Sequence, residues 1–352
     1  MEIFVVIMAG GVGSRFWPRS RKSKPKQLLN IFGENSMIRE TFLRVSSFVP
    51  VQNIFVITNK VQAELIETDI QELPSENIIA EPVGKNTAPC VAVSAKAIHN
   101  KSKDAVLVTL PADHLIEDVK EFERLVLKGA EYAYEKNGLL TFGITPTRPE
   151  TGYGYINYDK ESSDDEVYPV KKFVEKPNLE LAEKYLQAGD YLWNSGMFIW
   201  RADSILEEAK KFLPNIYQLV EQLTEESDLE STLLDIYPKF ESISIDYGIM
   251  EKSNNVYVIE GDFGWSDVGS WESVYELSEK DDQGNSRRGD VFPLKTKNSY
   301  LYTEDKFTAV IGLEDVVVIN LDDSLLVCKR DAAQEVKKVV EFLEEKERKS
   351  LL

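Results

Sequence analysis

Gly10, Gly11 and Gly13, with Ser14 and Arg15 beside them, put three glycines and a cation directly behind an apolar run over residues 3–9. Glycines let backbone N–H groups close around an anion with no Cβ in the way, and a nearby guanidinium then neutralises it. Between residues 15 and 26 the chain carries six cations, Arg15, Arg19, Arg21, Lys22, Lys24 and Lys26, and no acid. The whole chain has a net charge of -19 over 352 residues, so this local reversal of sign asks for an anionic ligand. A small polyphosphate is the economical one. The competing reading is a tight turn followed by a solvated basic face. Two familiar phosphate loops are excluded by spelling. No G-x-x-x-x-G-K-[ST] is present, and the dinucleotide fingerprint G-x-G-x-x-G fails because Phe16 stands where its third glycine belongs.

The elements that must hold this loop alternate along the chain. Short β-rich runs at 3–9, 54–58, 105–110 and 139–144 are separated by helix-period segments at 36–47, 62–73, 88–99 and 121–136. That pattern means βαβ units, an α/β fold and a Rossmann-like, mostly parallel twisted sheet. Ligands of such sheets sit outside the carboxyl ends of strands, which directs attention to the loops after Ala9, Leu110 and Ile144. Residues 146–177 read as an insertion over the ligand edge, ending in a strand at 170–174. Further helices are expected at 179–189, 202–224 and 271–278. A polar stretch at 283–289 reads as a linker, giving a catalytic domain at 1–282 and a C-terminal module at 283–352. That module holds four short apolar runs and a final helix. Asp331 and Gln334 stand at capping-box positions of this helix, and Val336, Val339, Val340 and Leu343 share one of its faces. The stripe packs either on its own module or on a second copy of the chain.

Composition narrows the chemistry. A pI near 4.7 argues against polynucleotides and anionic membranes as partners, and no apolar stretch approaches the ~20 residues that span a bilayer. Two cysteines, Cys90 and Cys328, form no C-x-x-C pair, which suits a reducing, cytoplasmic setting. With only His99 and His114 there is little material for a histidine metal cluster or a Ser-His-Asp triad. Carboxylates, lysines and arginines must carry the reaction.

The loop spells G-G-x-G-x-R-x-x-P followed by P-K, from Gly10 to Lys26, and six further blocks follow in order. They are Glu81-Pro82-Val83-Gly84-Lys85-Asn86-Thr87-Ala88-Pro89, Pro111-Ala112-Asp113-His114, Gly152-Tyr153-Gly154-Tyr155-Ile156, Phe173-Val174-Glu175-Lys176-Pro177, Trp193-Asn194-Ser195-Gly196-Met197 and Gly264-Trp265-Ser266-Asp267-Val268-Gly269. Together they resemble the sugar-1-phosphate nucleotidyltransferases and, among these, the mannose-1-phosphate guanylyltransferase family, over most of residues 1–275.

Each block has a physical reading beside the resemblance. Asp113 ends a buried strand and suits Mg²⁺, which takes one or two carboxylates plus phosphate oxygens and waters; Asp267 is the second acid. Either aspartate could also be an ordinary turn or cap. Glu81 can accept from guanine N1–H and its amino group, with Lys85, Asn86, Thr87 and Ala88 adding a cation, a side-chain amide and backbone amides. The same turn also reads as an N-cap for the helix behind it. Gly152, Tyr153, Glu175, Asn194, Ser195 and Gly196 suit a sugar pocket, and Lys176 suits the sugar phosphate or a surface ion pair. Asp246 reads as a sugar contact or, more simply, as the N-cap of the helix that follows.

The resemblance implies transfer of GMP from GTP to mannose 1-phosphate, giving GDP-mannose and pyrophosphate by Mg²⁺-dependent in-line attack on the α-phosphate. Arg15, Lys26, Asp113 and Asp267 would carry catalysis. It also implies a short left-handed β-helix at the C-terminus and a homodimer. Rival readings are the same chemistry with another nucleotide and sugar pair, and a non-catalytic nucleotide-sugar sensor.

Overall fold

β1 (Glu2–Ala9), β2 (Ile54–Asn59), β3 (Ile78–Glu81) and β4 (Ala105–Pro111) are parallel neighbours in the order β3-β2-β1-β4, in a computed structural model that describes residues 1–352. Val5, Val6 and Ile7 in β1 and Val106, Leu107 and Val108 in β4 are wholly buried, so both faces of these strands are covered. α1 (Met37–Ser46), α2 (Lys60–Asp69), α3 (Thr87–Lys101) and α4 (Val119–Lys136) alternate with the strands. Asn59 caps α2 and Asp118 caps α4, accepting the Gln62 and Glu121 N–H groups. β5 (Leu115–Ile116) is a two-residue strand outside this sheet.

Past β4 the sheet is mixed. β6 (Leu139–Ile144), β7 (Tyr155–Tyr158), β8 (Val167–Val174), β9 (Tyr191–Arg201) and β10 (Val256–Glu260) extend it as β9-β6-β10-β8-β7. Of these only β6 and β10 pair in parallel. β7 and β8 are joined by residues 159–166 alone, too short a link for the crossover that parallel neighbours need. β9 forks the sheet: its first half pairs with β7 through Tyr155↔Trp193 and its second half with β4 through Thr109↔Phe198. At the fork β6 carries a bulge between Thr141 and Gly143, and Gly196 adopts φ 70. The Trp193 to Met197 block lies where the strand changes partners.

α5 (Leu179–Ala188), α6 (Ala202–Phe212), α7 (Pro214–Val220) and α8 (Leu229–Ile236) follow. The single helix expected over 202–224 is broken at Leu213, which takes φ -134 and ψ 55 ahead of a proline that opens α7. A residue before proline is pushed out of the α region, and proline is tolerated at a first helical position.

Contacts divide the chain into two compact units, each discontinuous in sequence. The first comprises Met1–Gly10, Thr41–Ala112 and Ile116–Trp265 and holds the large sheet; the second comprises Gly11–Glu40, Asp113–Leu115 and Ser266–Leu352. After β11 (Trp265–Ser266), the second unit contains α9 (Trp271–Leu277) and a three-sided parallel coil. β12 (Ser286–Arg288), β14 (Tyr300–Thr303) and β16 (Val316–Asn320) stack on one side, with β13 (Val291–Leu294) and β15 (Thr308–Ile311) on another. Residues 283–289, read from sequence as a linker, include the first of these strands. Partners stand seventeen residues apart in Tyr300↔Val317, Val291↔Thr308 and Lys297↔Glu314, and fourteen apart in the first pairing, Ser286↔Tyr300. Corner residues Gly289, Lys295, Asn298, Gly312 and Asp315 have positive φ. β17 (Leu325–Lys329) closes the stack antiparallel to β16.

The terminal helix α10 (Lys337–Glu345) is entered through a 3₁₀ turn, Arg330–Val336, with no side-chain cap, so the capping box expected at Asp331 and Gln334 is absent. Arg330 sets the entry instead. Its N–H donates to the Asp315 carbonyl at 2.9 Å, and its guanidinium lies 3.9 Å from the Tyr275 ring centre. Val336 and Leu343, with Val339 and Val340, pack on Phe16, Trp17, Trp271 and the β14 and β16 side chains. The apolar stripe therefore packs within its own unit, Val336 and Leu343 buried and Val339 and Val340 half-buried. No helix is long and apolar enough to cross a membrane.

Candidate active site

In the second unit the glycine-rich loop folds back on the P-K lysine. Gly13 has φ 74, and a Cβ there would stand 2.3 Å from the Lys26 Cβ, so only glycine fits. The Lys26 N–H donates to the Val12 carbonyl at 3.0 Å, and Gln27 donates to the Gly11 carbonyl at 3.0 Å. Ser14 to Phe16 form a 3₁₀ turn that leaves Arg15 exposed. The Lys26 ammonium is 2.8 Å from Asp113 Oδ2 and 2.8 Å from the Asp267 carbonyl oxygen. Burial works to raise the Asp113 carboxyl, but the Lys26 and His114 charges outweigh it and hold it below the usual range. Phosphate loop, lysine, the Asp113 carboxylate and the main chain of Asp267 thus meet in one place.

Half of the six cations have other work. Arg19 lies 4.3 Å from the Tyr302 ring centre and donates to Asn30 Oδ1 at 2.6 Å. Arg21 donates to the Leu351 carbonyl and pairs with Asp323 at 3.0 Å, and Lys22 pairs with Glu344 at 2.9 Å. These three fasten the basic segment to the β-helix side of its unit. Arg15, Lys24 and Lys26 keep the phosphate reading.

In the first unit Glu81 ends β3, 7% exposed, and accepts the Tyr237 hydroxyl through Oε1. Its Oε2 faces Gly10, where a Cβ would lie 3.8 Å away. Burial pushes the carboxyl up to about 7, the tyrosine bond opposing that rise, and the neighbouring Cys90 thiol is also pushed up by burial. Asn86, at φ 67, caps α3 by accepting the Thr87 N–H at 2.9 Å. The Ala88 N–H donates to the Ile243 carbonyl at 3.1 Å, and the Thr87 hydroxyl accepts the Ile245 N–H at 2.9 Å. The cap reading of this turn holds, and its first amides are engaged inside the protein. Lys85 is half-buried.

A second polar cluster of the same unit gathers at the β9 fork. Asn194 donates to Asp246 Oδ1 at 2.9 Å and accepts the Thr141 hydroxyl at 2.9 Å and the Gly196 N–H at 3.2 Å. Asp246 is no helix cap: it opens a π-helical turn, Asp246–Met250, while its side chain holds Asn194. Ser244 takes the local role by accepting the Tyr247 N–H at 3.3 Å. Glu175 is 7% exposed at its side chain, pairs with Lys176 at 2.6 Å, and keeps a buried Oε2 with no hydrogen-bond partner. Gly154 permits that approach, since a Cβ there would be 2.5 Å from Oε2. Burial and the Glu175 charge push Asp246 up to about 7, whereas Lys176 is held up by Glu175 against its burial. Glu150 accepts the Gly152 N–H at 3.0 Å, and Tyr153 packs edge-on to Trp193 and Trp265. Ser195 is buried at 2% and its hydroxyl accepts the Met197 N–H at 3.3 Å, so it shapes the strand.

A model of the nucleotidyl transferase family matches residues 4–284. The chain belongs to that family. A second model, described as the MannoseP isomerase/GMP-like beta-helix domain, matches residues 289–343 and accords with the three-sided coil. This nucleotidyl transferase is 42% identical over 351 residues to a Klebsiella pneumoniae protein named mannose-1-phosphate guanylyltransferase, which covers 97% of this chain and 74% of that one. It is 44% identical over 346 residues to the xanthan biosynthesis protein XanB of Xanthomonas campestris, covering 96% of this chain and 73% of the other. A Thermus thermophilus crystal structure titled mannose-1-phosphate geranyltransferase superposes with a TM-score of 0.88 at 32% identity, over 98% of this chain and 100% of that one.

Two residues of this nucleotidyl transferase escaped the reading of its sequence. Thr141 is a polar residue inside an otherwise apolar strand, 1% exposed, and that anomaly was a usable signal. Tyr237 carried none, because it reaches Glu81 across 156 positions of sequence.

Proposed function

We propose that this nucleotidyl transferase is a mannose-1-phosphate guanylyltransferase, joining GMP from GTP to mannose 1-phosphate with release of pyrophosphate. The observation that carries the reading is 42% identity, along 97% of the chain, to a protein of that name. Four groups in the molecule suit it. Glu81 Oε2 offers guanine an acceptor beside Gly10, and Glu175, Asn194 and Asp246 offer sugar hydroxyls fixed partners.

The dianion of mannose 1-phosphate is already a nucleophile, so in-line attack on the α-phosphorus needs no general base. Catalysis is positioning and charge. Loop amides from Gly11 to Ser14, with Arg15 and Lys26, take the triphosphate; Lys176 takes the sugar phosphate. The family's chemistry uses a divalent metal, and we take it to be Mg²⁺ held by Asp113 and Asp267. The donor set fits that ion: Asp113 offers a carboxylate, and Mg²⁺ takes one or two carboxylates and completes its shell with phosphate oxygens and waters. A cation already stands there, the Lys26 ammonium. When bound, the metal would neutralise charge on the reacting phosphates.

We also infer a homodimer, supported by the apolar side chains that β13 and β15 leave in solvent: Phe292 is 50% exposed and Ile311 60%. Two free thiols suit a cytoplasmic setting.

The deciding assay is pyrophosphate release with GTP, ATP, UTP and dTTP, each against mannose 1-phosphate and glucose 1-phosphate. GTP with mannose 1-phosphate should exceed every other pair. Preference for another pair rejects the substrate assignment, and no release with any pair rejects catalysis.

Guanine reading by Glu81 requires its ionised form, so a carboxyl titrating at about 7 makes KM for GTP rise as pH falls through 7. Tyr237→Phe deletes the bond that lowers this carboxyl and should move the midpoint upward. The titration of the GTP phosphates is common to both proteins and cancels in the comparison. An unmoved midpoint would take Tyr237 out of base recognition.

A further inference from the structure

Lys26 is placed oddly for a residue that only meets nucleotide phosphates. Its Nζ lies 2.8 Å from Asp113 Oδ2, 2.8 Å from the Asp267 carbonyl and 3.4 Å from the Asp113 carbonyl, so each ammonium proton has an acceptor on one of two residues. Its side chain is 7% exposed, against 31% for Asp113, and the Phe16 ring centre is 5.2 Å from Nζ. The bare side of Gly13 makes the space, since any Cβ there would strike the lysine stem. This ammonium is therefore packed into position in the free protein, aimed at the Asp113 carboxylate that would bind a metal and at the main chain of Asp267.

We infer that Lys26 is a resident counter-ion: it fastens Asp113 to the Asp267 main chain in the free enzyme, and a divalent metal gains Asp113 only when nucleotide phosphates draw the ammonium away. The inference rests on the reading of Asp113 as a metal ligand. The Lys26 ammonium and a divalent cation repel each other strongly at the distances that sharing Asp113 would impose. Without the lysine, Asp113 would lose its ion-pair partner and keep only the His114 charge, leaving a carboxylate open to a divalent cation. With it, the free enzyme binds metal weakly, and metal and nucleotide enter together. Triphosphate oxygens supply the ammonium with new acceptors at that moment, so the lysine passes from holding the site to binding the substrate.

Mn²⁺ binding to the nucleotide-free protein, followed by electron paramagnetic resonance of the unbound ion, tests this without any turnover. Lys26→Met, which keeps the stem and loses the charge, should tighten Mn²⁺ at least ~10-fold. Lys26→Gln keeps a donor for the Asp267 carbonyl and should do the same, which guards against a folding defect in the methionine variant. Lys26→Arg should leave binding weak, and Asp113→Asn should abolish the gain when combined with Lys26→Gln. Mn²⁺ affinity unchanged or weakened in both Lys26→Met and Lys26→Gln, with Asp113→Asn weakening it, would overturn the counter-ion role and leave the metal assignment standing. Affinity unaffected by Asp113→Asn in every background would overturn the metal assignment itself.

Discussion

Lys26→Ala lowers kcat by ~100-fold or more, the loss expected when one preorganised cation is withdrawn from charge developing at a reacting phosphate. The size follows from how the residue is held. Its stem is buried against the loop, with its Cβ close to Gly13, so only the ammonium has to turn from Asp113 and the Asp267 carbonyl to the phosphates. No other lysine is so placed: Lys24 is exposed two residues earlier, and Lys22 is paired with Glu344. Steady-state kinetics with saturating GTP and mannose 1-phosphate give the answer. A wild-type kcat with only a raised KM for the nucleotide would mean that Lys26 contributes uniform binding and nothing specific to the transition state.

Asp113→Asn should depress turnover by ~100-fold and raise the Mg²⁺ concentration needed for half-maximal rate by ~10-fold or more. The amide keeps the shape of the carboxylate and removes its charge, so the effect isolates the ion. The sign of the pH dependence follows from the neighbours of Asp113. Because Lys26 and His114 hold this carboxyl below the ordinary aspartate range, it stays ionised at mildly acidic pH, and lowering the pH to ~5 should not reproduce the variant. Asp267→Asn belongs in the same titration. A variant that keeps the wild-type metal dependence has lost no ligand, and that residue drops out of the assignment.

Much of this site was legible because its parts are local. Strand, glycines, arginine and P-K lysine stand in one stretch of sequence, and a buried apolar strand running to Pro111 delivers Asp113 by geometry alone. Other features depend on partners far away in sequence. Asp246 looks like a cap from its neighbours, yet Asn194, fifty-two positions earlier, claims its carboxylate. The amides of Thr87 and Ala88 look available, yet residues at 86 and 243 engage them. The same limit applies to the sheet. A run of apolar residues reveals a strand and not its direction, so the antiparallel β9 and the fork it creates had no local signature. The final helix erred in the opposite sense. Its apolar face was plain, and only the long-range packing of Phe16, Trp17 and Trp271 shows what covers it.

Arg19, Arg21 and Lys22 carry that lesson into evolution and engineering. They are written into the phosphate loop, but their partners are Tyr302, Asp323, Glu344 and the Leu351 carbonyl, in the last fifty-odd residues of the chain. Loop and coil are therefore a single heritable part. A chimera that grafts residues 11–26 from one relative onto the C-terminal coil of another breaks a matched set of charges, and a gene cut at residue 282 strips the loop of its mooring. Neighbouring members of the family should have drifted at these positions in concert, the basic residue and its acidic partner changing together.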